Sequence, residues 1–203
     1  MLHNVSFYGC TDNYKGGIPD IVIFANVHSD SDHEVIQKAL DVLKPNTVWT
    51  EGHYDEPPVA SFPTIGWDDQ DHCRRIREEP SSEKKLDISR ANDESRHARL
   101  CDVVSKFYPR DVVLVGRAHA VYPSPYQNDV WPTDKEHVRA FHRALKERGL
   151  SAVILTCGGW GSVDLEKSIP LPSQSIHEIK KGQFGPTFGD RVHGILRWAN
   201  LVR

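Results

Sequence analysis

No stretch of the 203-residue chain approaches the roughly 18 consecutive apolar residues that a membrane-spanning helix needs. The opening Met1-Leu2-His3-Asn4 lacks the basic-then-apolar order of a signal peptide, so the expected compartment is the cytoplasm. An excess of one charge is also missing. Twenty-five Lys and Arg face 28 Asp and Glu without long runs of either sign, which leaves no basic field for nucleic acid or an anionic membrane surface. Neither is expected as a partner. Cysteine is sparse and scattered: Cys10, Cys73, Cys101 and Cys157 form no CxxC pair, which excludes a zinc ribbon or thioredoxin motif and leaves reduced thiols. No GxGxxG follows a strand, and neither GxxxxGKS/T nor GxSxG occurs. Dinucleotide, P-loop and ordinary serine-hydrolase chemistry are therefore set aside.

What the chain does have in quantity is histidine and tryptophan, 11 and 5 residues, roughly twice their ordinary share. Its length and 38% hydrophobic content suit one domain with a single sizeable core. The run 20–25, Asp-Ile-Val-Ile-Phe-Ala, is apolar without alternation, as a strand buried on both faces requires. Candidate caps at Ser29 to Asp32 precede Val35, Ile36, Ala39, Leu40 and Leu43 at helical spacing, and Pro45 ends that helix. Residues 47–50 read as a second strand. Pro57, Pro58 and Pro63 then argue against regular structure until about Trp67. A charged helix is expected from Ser82 to Phe107, a strand over 111–116, a helix over about 133–148 stopped by Gly149, and a strand over 152–156. This alternation predicts an α/β fold: an open, mainly parallel sheet with right-handed crossovers and helices on both faces, a three-layer sandwich. The expected organisation is one α/β domain over 1–203, with an inserted loop region at about 52–80 and an irregular region at about 158–203.

In such a sheet ligands bind beyond the carboxyl ends of the strands. His28 follows the first strand, Glu51 and His53 follow the second, and Arg117 and His119 follow the third. Two imidazoles and a carboxylate can hold a divalent transition metal with positions open for water, activating that water towards a carbonyl. Without a metal, the same groups provide a His general base oriented by Glu51, with His119 or Arg117 stabilising an oxyanion. Other polar clusters have plainer readings. Asp30, Asp32 and His33, and Asp68, Asp69, Asp71 and His72, read as solvated acidic faces. His97, His137 and His142 fall on expected helices and read as surface or packing residues.

The ordered set of His28 at one strand end, Glu51 at the next and Gly116-Arg117-Ala118-His119 at a third resembles the Tiki/TraB, erythromycin esterase-like and ChaN-like superfamily. That group carries two GxxH motifs, a Glu between them, and a helix with an Arg before the second motif. The resemblance spans about residues 20–122. The first motif here reads Ala25-Asn26-Val27-His28, with Ala in place of Gly. Asn92-Asp93-Glu94-Ser95-Arg96-His97-Ala98 is similar to the helix segment, with Arg90 or Arg96 standing in for its Arg from a neighbouring turn. Members of the superfamily include metal-dependent proteases, esterases that work without a metal, and haem-binding proteins.

The expected function is hydrolysis of an amide or ester bond in a small-molecule or peptide substrate, with His28, Glu51 and His119 as both catalytic residues and metal ligands. His53, Trp67, Arg96 and Arg117 are expected to bind substrate. A divalent transition metal is the expected cofactor, with haem as the alternative. Two other outcomes follow from the same residues: a haem- or metal-ligand-binding protein without turnover, and a biosynthetic enzyme using the site for proton transfer.

Overall fold

The computed structural model describes residues 5–15, 18–26, 30–52, 61–120 and 135–157. Its centre is a six-stranded sheet in the order β1-β6-β2-β5-β3-β4. The strands are β1 (Val5–Cys10), β2 (Ile21–Asn26), β3 (Val48–Thr50), β4 (Thr64–Gly66), β5 (Asp111–Gly116) and β6 (Ala152–Cys157). All neighbours are parallel except β1, which runs antiparallel to β6 at one edge. The fold is α/β, as the alternation of apolar runs and helices requires.

Ile21 to Ala25 have no exposed surface, because both faces of β2 are covered. On one face Val22, Phe24, Val112, Leu114, Val153 and Leu155 pack against Ile36, Ala39, Leu40 and Leu43 of α1 (Asp30–Leu43). On the other face Ile23, Val113 and Ile154 meet Leu100 and Val103, which belong to a later helix, and Phe141 and Leu145 of another. The intervening helices are α2 (Gln70–Glu78), α3 (Ser82–Ala91), α4 (Asp93–Val103), α5 (Arg117–Ala120) and α6 (Lys135–Glu147). Leu100 and Val103 lie on α4, and Phe141 and Leu145 on α6.

Three local expectations change. The segment before Trp67 is not wholly irregular: Thr64-Ile65-Gly66 adds β4 to the edge of β3. All three of its residues are exposed, so no apolar signal marks it; backbone pairing carries it, with Trp67 N–H donating to Thr50 O at 2.8 Å. The loop expected at 52–80 also contains α2, started by Asp69, whose carboxylate accepts the His72 N–H at 2.9 Å. The helix expected over Ser82–Phe107 is interrupted at Asn92 (φ −117°, ψ 6°), whose side chain donates to Ile88 O at 2.8 Å. Asn offers the backbone this local alternative to the helical ladder. The second half then continues as α4 and ends in a 3-10 turn over Val104–Lys106. The edge strand β1 lies ahead of the first strand read from sequence. The irregular region at 158–203 is outside the described residues.

Candidate functional site

Because β2, β3 and β5 are parallel and Asn26 pairs with Gly116, their carboxyl ends open at one edge of the sheet. Glu51 is the first residue beyond β3 and is 2% exposed. One carboxylate oxygen accepts the Gly116 N–H at the end of β5, and the other accepts Arg96 Nη2 at 3.1 Å. Glu51 thereby fastens two strand ends together and fixes one side of Arg96. Gly52 follows with φ +85°, and the Gln70 side-chain amide occupies the space a Cβ would need. Only glycine makes this turn without strain.

Arg96 lies on α4, and its other edge is held by Asp68: Nε donates to Asp68 Oδ2 at 2.6 Å. Asp68 also accepts from Arg99 Nε at 3.2 Å. Asp68 is therefore the buried centre of a two-arginine clasp, whereas a solvated acidic face was expected there. Burial opposes the charge of Arg96, but Glu51 and Asp68 on either side outweigh it and raise its pKa above the usual value. Arg96, and not the exposed Arg90, is the helix arginine that meets Glu51.

His119 lies on α5, one turn past Gly116, with its ring edge-on to Trp67 at 5.8 Å between centroids. Trp67 is itself fixed by Nε1 donating to Leu114 O at 3.3 Å. His119 Nε2 lies 3.8 Å from Glu51 Oε1. Its Nδ1 faces His97 Nε2 at 3.1 Å. His97 Nε2 in turn lies 3.8 Å from Asp93 Oδ2. Asp93 and His97 are four apart on α4, which places their side chains on one face. His137, from α6, stacks on His97 at 4.1 Å between ring centroids and has Nδ1 4.0 Å from Asp93. His97 is pushed down to about pKa 2, first by burial and then by His119, His137 and Arg96, so it is a neutral imidazole with a lone pair to give.

Asp93, His97 and His119 each offer one donor atom, all within 4.8 Å of one another. This group could hold a metal ion. Donors around a tetrahedral divalent ion at about 2.0–2.1 Å lie roughly 3.3 Å apart. The 3.1 Å between the two imidazole nitrogens suits that spacing, and Asp93, 3.8 Å from His97 Nε2, must move closer to complete it. If His119 Nδ1 is a ligand, its Nε2–H faces Glu51 at 3.8 Å, longer than a hydrogen bond, and closing that gap would let a carboxylate set the tautomer of a ligating histidine.

Of the residues expected from sequence, Glu51, Trp67, Arg96 and His119 come together. His28 and His53 lie outside the described residues, and Arg117 opens α5 with its side chain also outside them. Glu51 faces Arg96, Gly116 and His119, while Asp93 and His97 supply the donors nearest His119. His97 and His137, expected as surface or packing residues, belong to this cluster, whereas His142 does pack, with Nε2 3.2 Å from Ala120 O. The i,i+4 spacing of Asp93 and His97 was the available signal, but only the packing of α4 against α5 and α6 gives it a third donor. No protein-family model matches the chain, and no curated protein or solved structure matches it significantly.

Proposed function

We propose that this protein is a metal-dependent hydrolase of amide or ester bonds in a small-molecule or peptide substrate, with Asp93, His97 and His119 holding a divalent transition metal. The observation that carries this reading is the convergence of three donor atoms within 4.8 Å beyond the strand ends. A metal held there would supply Lewis-acid activation of water and carbonyl. The chain's own groups support such a role. Asp93 lies in the first turn of α4, where the helix dipole favours its negative charge. Burial keeps His97 neutral, and Glu51 is placed to hold the Nε2–H of His119. His137, on the more open side, is placed to pass protons between the cluster and solvent.

Two imidazole nitrogens 3.1 Å apart beside a carboxylate suit a small cation better than haem. The pairing of Arg96 with Glu51 also favours membership of the superfamily that the motifs resemble, since that pattern has both a Glu and a helix Arg. His28, two residues beyond β2 in the sequence, and Arg117 remain proposed contributors to the same edge.

Protein prepared without chelator should contain about one transition-metal equivalent per chain. It should hydrolyse activated esters or anilides and lose that activity to dipicolinate. His97→Ala and His119→Ala should each lower metal affinity at least ten-fold. A Soret band in place of a bound divalent ion would favour the haem-binding alternative. Activity indifferent to chelator would favour the metal-free general-base route.

A further inference from the structure

The Arg96–Asp68 pair is the most enclosed ionic contact of the cluster, yet neither residue touches the three metal donors in the contacts described above. Asp68 has no exposed side-chain surface and bonds Arg96 and Arg99 through separate oxygens. Arg96 presents its remaining edge to Glu51, and Glu51 faces His119. The order Arg99, Asp68, Arg96, Glu51, His119 is a chain of alternating charge, running from a half-buried arginine to a histidine of the donor set.

We infer that Asp68 is a positioning residue for the metal centre, acting through Arg96 and Glu51 on the orientation of His119. This rests on the metal site proposed above. The physical reason lies in how Arg96 is shared. With Asp68 drawing on its Nε edge, Arg96 gives Glu51 only one contact, through Oε2, and leaves Oε1 to Gly116 N–H and to the attraction of His119 Nε2 at 3.8 Å. Without the Asp68 charge, Arg96 has one carboxylate left to satisfy and turns wholly to Glu51. Glu51 then holds His119 less firmly, and His119 presents Nδ1 to the metal for a smaller part of the time. Partners of this kind typically change metal affinity about 10- to 100-fold.

Cobalt(II) titration of the full chain, followed by its visible absorption, tests this without any need for a substrate. Asp68→Asn should bind cobalt about ten-fold more weakly than wild type, with an altered absorption band, while Asp68→Glu restores much of the affinity. Glu51→Gln should show a similar loss, and the double variant Asp68→Asn/Glu51→Gln should lose no more than Glu51→Gln alone, as two members of one chain require. Should Asp68→Asn fail to fold, Arg96→Lys decides: it keeps the charge but cannot bridge both carboxylates, and the same weakening is expected. Unchanged cobalt affinity in a folded Asp68→Asn or Arg96→Lys, or additive losses in the double variant, would overturn the inference. A wild-type chain that binds no cobalt would instead overturn the metal site itself.

Discussion

Glu51 shows how a single carboxylate can serve fold and site together. Its two oxygens fasten the end of β5 and the guanidinium of Arg96, and it also stands beside His119. Glu51→Gln keeps the shape while removing the charge, so it should lower metal affinity about ten-fold or more without abolishing it; loss of all binding would instead identify Glu51 as a direct ligand. The neighbouring Gly52 gives an independent measure of how tightly this turn is set. Gly52→Ala meets both a positive φ and the Gln70 amide, and should cost at least about 1–2 kcal/mol of unfolding free energy. Adding Gln70→Ala should recover the collision but not the backbone strain, a distinction that urea titrations of the two variants would resolve. Sequence alone placed Glu51 and His119 at one sheet edge because each follows an apolar strand. It could not distinguish His97 from a surface histidine, because burial there depends on three helices meeting.

The elements were legible in proportion to how much their own side chains determine them. β2, β5 and β6 are continuous apolar runs buried on two faces, and α1 and α6 carry periodic stripes that end at Pro45 and Gly149. β4 is exposed and has no pattern of its own, since its pairing to β3 is a backbone property. The break between α3 and α4 depends on the side chain of Asn92 and not on periodicity, which continues across it. That break sets where α4 begins, one residue after Asn92, and so the turn on which Asp93 and His97 lie. Asn92→Ala removes the bond to Ile88 O and should cost about 1 kcal/mol. By favouring one continuous helix it should also weaken metal binding, which thermal melts and cobalt titration of the same preparation would show. Weaker folding with unchanged affinity would mean that packing against α6, and not the break, aims these side chains.

Several buried histidines couple the whole molecule to pH. His142 is pushed down to about pKa 4, chiefly by burial and partly against its hydrogen bond to Ala120 O and the charge of Asp12, and His97 to about 2. His72 is also lowered, first by burial and partly against the charge of Asp68. An unfolded imidazole takes up its proton near 6.5, so from there down to pH 4 the unfolded chain binds more protons than the folded one. Stability must therefore fall as pH falls through this window. For His142 the loss is on the order of 3 kcal/mol by pH 4, and its slope fades as pH falls further through its folded pKa. Unfolding free energies measured between pH 4 and 7 should show the decline. His142→Phe should flatten it in part, leaving the shares of His97 and His72.

The donors Asp93 and His97 come from α4, while His119 comes from α5 at the end of the central strand. An ion held by all three is a cross-link between pieces of chain more than twenty residues apart, and its binding energy resists any fluctuation that separates them. Amide hydrogen exchange should therefore slow in α4 and α5 when a metal is added, because local opening there would require the ion to leave first. Exchange in β1 and β6, which open without disturbing the three donors, should keep its pace. The metal would thus decide which part of the molecule breathes.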